Sequence, residues 1–143
     1  MRSFSFKMNN TIDMQIMRYI NLFERISRVT TSKCFVYNNT IFFVVPHELV
    51  SRAIGRDAEN IRQMGETLGK KIRVIASEED ISKFIAHIIE PYEFLKVDMN
   101  DNFVTLSANK QNKAGIIGRG RIREEELEGI LKKFFGIEKL RIL

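Results

Sequence analysis

Two short segments carry the residue types that handle an anion. Ala53-Ile54-Gly55-Arg56-Asp57-Ala58 and Ile116-Ile117-Gly118-Arg119-Gly120-Arg121 each close an apolar helical stretch with Ile-Gly and pass through an arginine into a second helical pattern. A glycine at such a junction lets a phosphodiester come close to the main chain, and the amides that open the next helix form a donor-rich site for negative charge. Either glycine alone would serve equally well as a helix C-cap; its occurrence twice in one context favours the anion reading.

Nothing comparable points to catalysis. His47 and His87 have no partner set for acid–base work, and Cys34 reads as a small buried hydrophobe. With one cysteine and two histidines no zinc cage of soft ligands can be assembled, and an internal disulfide is impossible. Gly118-x-Gly120 lacks the third glycine of a dinucleotide fingerprint, and neither loop ends in the Gly-Lys-Ser/Thr of a P-loop. The sequence predicts a protein that is not an enzyme and uses no cofactor, metal or small-molecule substrate.

The elements that would position these segments follow from periodicity. Residues 1–10 lack a sustained period and are expected to be a tail. From Thr11, placed as a cap, Ile12, Ile16, Tyr19, Ile20, Phe23 and Ile26 recur at helical spacing, with the helix expected to end within 27–31. Two β-prone runs, 34–37 and 41–45, flank Asn38-Asn39-Thr40 and predict a hairpin. Pro46 ends the second strand, 48–54 reads as a short helix stopped by Gly55, 58–68 as a longer helix closed by Gly69, and 71–76 as a strand. Ser77 is then placed to cap a helix over 78–89, which Pro91 stops. A hairpin over 94–98 and 103–107, a short helix over 112–117, a longer one over 122–135 and a last strand over 137–143 complete the order α-β-β-α-α-β a second time. Setting Gly55 on Gly118 also places Ile41 and Phe43 on Val104 and Leu106, so the chain reads as two copies of one small unit.

A short helix ending in Ile-Gly, a basic four-residue turn and a second helix resemble the GXXG loop of a KH domain, and the element order is that of the type II, prokaryotic KH fold. The loops at those positions are Gly55-Arg56-Asp57-Ala58 and Gly118-Arg119-Gly120-Arg121, each without the fourth glycine. Tandem copies narrow the resemblance to the archaeal NusA-like proteins over about 11–143. It is carried by Tyr19-Ile20-Asn21-Leu22-Phe23-Glu24, Cys34-Phe35-Val36, Ala53-Ile54-Gly55-Arg56, Glu59-Asn60-Ile61, Leu68-Gly69-Lys70-Lys71-Ile72 and Ile117-Gly118-Arg119-Gly120. The resemblance implies an α+β chain of two tandem type II KH domains, the first over 1–76 including the tail and the second over 77–143. Such loops clamp about four nucleotides of single-stranded RNA, and the resemblance implies RNA binding in transcription elongation or termination. Where the family has an isoleucine after the second loop, this sequence has Glu124. Two copies leave the 143 residues little room for a further module, so polymerase contact is not implied.

Charge separates the two copies. The whole chain carries a formal +5, with 44% hydrophobic and 29% charged residues, which excludes wholesale disorder. Residues 1–76 hold twelve basic and six acidic side chains, a net +6, whereas 77–143 hold eleven and twelve, a net −1. The RNA site expected is therefore mainly in the first copy. Gly55, Arg56, Asp57 and Ala58 would hold backbone, Ile54 and Ile61 would floor the cleft, and Lys70, Lys71 and Arg73 would line its far wall. Gly118, Arg119, Gly120 and Arg121 would form a weaker second clamp beside the acidic run from Glu124. The longest uninterrupted apolar stretch, 41–45, is far too short to span a membrane, and a cytoplasmic location is expected. Single-stranded RNA is the expected partner. The alternative is a degenerate KH pair that docks on RNA polymerase, the ribosome or another protein.

Overall fold

The computed structural model describes residues 2–143, and the side chains of 14–143; the first helix already begins at Arg2, so residues 2–10, expected as a tail, are helical and Thr11 lies inside the helix instead of capping it. The described residues are mixed α and β, with six α-helices and two three-stranded sheets among them. It divides into two compact units, Met1–Ser77 and Glu78–Leu143.

In the first unit, helix α1 (Arg2–Ser27) is followed by strands β1 (Lys33–Tyr37) and β2 (Thr40–Val45), helices α2 (Val50–Ile54) and α3 (Glu59–Leu68), and strand β3 (Lys71–Ala76). The apolar stripe of α1 is what ties it down: Tyr19 and Phe23 are buried, and the Phe23 ring stacks on Phe43 of β2 at 4.3 Å between centroids. Asn38 and Asn39 both take positive φ, as a two-residue hairpin turn matching the strand twist requires. β2 lies at the centre, antiparallel to β1 and parallel to β3, and every one of its residues is buried. That explains its unbroken apolar run, since a strand covered on both faces has no polar positions to alternate with. A parallel neighbour cannot be reached by a tight turn, so the chain between Val45 and Lys71 must cross over, and α2 and α3 are that crossover. Met64, Ala53, Ile41, Val45 and Ile72 complete the core under these helices.

The second unit repeats the plan: α4 (Ile81–Ile89), β4 (Lys96–Asn100), β5 (Phe103–Ser107), α5 (Lys110–Ile117), α6 (Ile122–Phe135) and β6 (Lys139–Ile142). Its sheet has the order β4-β5-β6 with the same antiparallel and parallel pairings. Val104 and Leu106 are buried as Ile41 and Phe43 are. α4 begins later than expected: its cap is Asp80, whose carboxylate accepts the Ser82 amide at 2.9 Å, in place of Ser77. The strand expected over 94–98 is shifted to Lys96–Asn100, because Asp101 and Asn102 alone form the positive-φ turn.

Candidate nucleic-acid interface

The two loops share one backbone conformation. Gly55 stands at φ 86°, ψ 166° and Gly118 at φ 76°, ψ 170°, a region that residues with a Cβ essentially never enter. An arginine follows in each, and then two consecutive left-handed residues, Asp57 and Ala58 in one loop and Gly120 and Arg121 in the other. The turns close with Ala58 N–H donating to Gly55 C=O at 3.1 Å and Arg121 N–H to Gly118 C=O at 3.2 Å. Glycine at the first position is forced by packing as well as by torsion. A Cβ on Gly55 would sit 2.8 Å from Asn60 Cγ, and one on Gly118 would sit 2.5 Å from Arg123 Cγ.

Asn60 and Arg62 hold the first loop. Asn60 Nδ2 donates to the carbonyls of Arg52 at 3.3 Å and Ala53 at 3.2 Å, satisfying the end of α2, while Arg62 Nη2 donates to Asp57 C=O at 2.5 Å. Neither role is visible in residue type; the only sequence signal was an amide five residues after a helix-ending glycine. In the second loop Arg123 occupies the place of Asn60 and pairs with Glu126, and Arg121 Nε lies 3.8 Å from Glu124 Oε1. Neither α3 nor α6 has a side-chain cap, because the preceding residues, Ala58 and Arg121, offer no acceptor. Arg56, Asp57, Arg119, Gly120 and Arg121 are exposed, so each loop presents an arginine to solvent at the start of a helix that has no side-chain cap.

The sequence-predicted site residues fall into three places. Ile54 and Ile61 flank the first loop and are half-buried, with Ile61 packed against the core. Lys70 and Lys71 lie at the other end of α3, about 15 Å from the loop by helix rise. Lys70 Nζ there donates to Asn39 Oδ1 of the hairpin turn at 2.8 Å. They mark opposite ends of one helix; they do not face Gly55 and Arg56 across a cleft. Arg73 is further removed. Ile72 and Val74 turn to the helical core, so Arg73 projects from the other sheet face, with its guanidinium 5.0 Å from the centre of the Phe42 ring. An open cleft of about 580 Å³ does adjoin the first loop, lined by Arg56, Asp57, Glu59, Arg62, Gln63 and Glu66. Its charge is mixed, three carboxylates against two guanidiniums. In the second unit, Glu124 takes the place of Ile61, and its Oε1 is buried without a hydrogen-bond partner.

Among the described residues no cluster of three or more His, Cys, Asp or Glu is arranged to hold a metal ion, and no helix is long and apolar enough to cross a membrane.

Similar proteins match this chain along most of their length. The probable transcription termination protein NusA of Methanocaldococcus jannaschii is 29% identical over 134 residues, covering 90% of this chain and 72% of that protein. The protein of the same name from Halococcus morrhuae is 25% identical over 138 residues, covering 94% of this chain and 99% of its own. The chain resembles the archaeal NusA-like proteins. Alignments of this length reach into both compact units, so the NusA-like resemblance is not confined to one loop. A solved structure, the crystal structure of APE1850, is similar with a TM-score of 0.69 and 29% identity, covering 91% of this chain and 99% of that one. No protein-family model matches the chain.

Proposed function

We propose that this chain is a non-enzymatic, single-stranded RNA-binding protein of transcription elongation and termination, built from two type II KH domains over 1–76 and 77–143. The observation that carries the reading is the repeated turn: the same unusual backbone, each time between two helices and each time followed by an exposed arginine and a helix start without a side-chain cap. A strained conformation kept twice beside an exposed arginine at a helix start is what a phosphate clamp needs. The similar archaeal proteins are named probable transcription termination proteins, which supports a role in transcription termination.

RNA is held mainly by the first unit in this proposal. The net +6 of residues 1–76 against −1 for 77–143 supports that choice, as does Ile61, which gives the first loop an apolar neighbour where the second has Glu124. Arg56 makes the backbone contact beside Gly55 to Ala58, and Lys70 and Lys71 extend the basic track to the far end of α3. Arg56→Asp in the full chain is expected to weaken binding to a labelled single-stranded oligonucleotide by tenfold or more, with Arg121→Glu costing less. Equal or larger loss in Arg121→Glu moves the main clamp to the second unit, and unchanged affinity in both variants removes the loop reading altogether.

A second reading is favoured by one specific feature, the acidic lining of the first cleft by Asp57, Glu59 and Glu66. In it the pair of units is a docking adaptor for polymerase, ribosome or another protein. Binding that survives nuclease treatment and is insensitive to Arg56→Asp would select it.

A further inference from the structure

The second sheet has an open face that the loop reading does not use. Val104, Leu106 and Leu140 are buried under the helices of their unit, so strand alternation turns Phe103, Thr105, Lys139 and Arg141 to the other side. Phe103 is 50% exposed there. The register seats Lys139 directly beside it on β6, and in the next row Thr105 has Arg141 on β6 and Asp98 on β4. The first sheet is built differently at this face, where Phe35, Phe42, Val44 and Ile75 are all buried. An exposed aromatic set among polar strand positions is thus a property of the second unit and not of the architecture.

A single exposed phenylalanine needs no explanation by itself. Its setting supplies one. Lys96, Lys139 and Arg141 lie on this face, where the strands themselves contribute one acidic side chain, Asp98, which Lys96 meets at 3.5 Å. Lys139 Nζ stands 4.0 Å from Glu128 Oε2, at the limit of an ion pair, and Arg141 is exposed. The two β6 cations are two residues apart on one side of the strand, about 6.6 Å along it. That spacing matches successive phosphates of an extended single strand. An aromatic ring beside a cationic row is the combination that binds single-stranded nucleic acid without reading its sequence, since every base has a face to stack.

We propose that the outer face of β4-β5-β6 is a stacking platform for single-stranded RNA, with a base on Phe103 and the backbone running along Lys139 and Arg141. The proposal rests on the RNA-binding reading above, but it puts a contact on the strands, on the side of the sheet away from the helices that carry the Gly118 loop of the same unit. Phe103→Ala in the full chain should weaken binding to an oligouridylate at least fivefold, the lower end of what one stacked base contributes. Phe103→Tyr should restore it. Lys139→Glu with Arg141→Glu should weaken binding further and flatten its salt dependence. Photocrosslinking to 4-thiouridine-substituted RNA should recover the peptide that contains Phe103. Full affinity in Phe103→Ala, while Arg56→Asp or Arg121→Glu binds poorly, overturns the platform and leaves the loop reading standing. A chain that binds no oligouridylate at all removes both. Dissociation of a self-associated protein by Phe103→Ala, with RNA affinity intact, would assign the face to contact between copies and also overturn it.

Discussion

At the scale of single residues, the two loops show what the fourth glycine of a GXXG turn is for. Ala58 and Arg121 both occupy the left-handed region, at φ 59° and 64°, where a Cβ costs roughly 1–2 kcal/mol. Part of that cost is recovered because alanine restricts the unfolded chain more than glycine does. Ala58→Gly is therefore expected to raise stability by about 0.5–1 kcal/mol in denaturant titration. A loss of stability would show that the Ala58 methyl is packed in a way the torsion argument ignores. The first glycine is different in kind, since Gly55→Ala adds a collision with Asn60 to a forbidden torsion and should cost about 1–3 kcal/mol or more. The positions of these loops were readable from Ile-Gly-Arg alone. What was not readable was their support. Asn60 and Arg62 act through backbone carbonyls, and a side chain's choice of carbonyl depends on how α2 and α3 meet, which no local pattern encodes.

At the scale of elements, α4 has a titratable start. Both the hydroxyl and the amide of Ser82 donate to the Asp80 carboxylate, and these bonds hold its pKa below the ordinary carboxylate value. A depressed folded-state value means the cap stabilises fully above the unfolded pKa near about 4 and is lost as pH falls through the lowered one. Asp80→Ala should therefore melt below the parent chain at neutral pH, with the gap closing as acid is added below about pH 4. A gap that persists unchanged in strong acid would mean the cap is not the reason for the difference. The same helix shows where the elements were hard to read. Ser77 and Asp80 are both good caps, and only tertiary packing decides between them. The central strand, the hairpin turns and the glycine-ended helices were legible, because each depends on local chemistry: unbroken apolar residues, paired Asn or Asp-Asn, and glycine ends. The wall of the expected cleft was not. Placing Lys70, Lys71 and Arg73 opposite Arg56 rested on the KH resemblance and not on any local pattern. A parallel β2–β3 pair instead makes α3 run the length of the sheet before β3 begins, and strand alternation then sends Arg73 to the face that holds Phe42.

At the scale of the whole molecule, net charge becomes a measurable quantity. The formal +5 is the sum of a basic first copy and a nearly neutral second one, and the two differ in how their arginines are partnered. In the second unit Arg121 and Arg123 lie within ion-pair distance of Glu124 and Glu126. Cations that already answer to carboxylates displace fewer counterions when RNA arrives, so they contribute less to salt dependence. For a single strand, each phosphate neutralised adds about 0.7 to the slope of log affinity against log salt concentration. Arg56→Gln should therefore lower that slope by roughly 0.7, whereas Arg121→Gln should change it by distinctly less. Fluorescence anisotropy of a labelled single-stranded oligonucleotide over a salt series measures both. If Arg121→Gln flattens the slope as much as Arg56→Gln does, the carboxylates of α6 do not shield the second loop, and the two units share the backbone equally despite their charge.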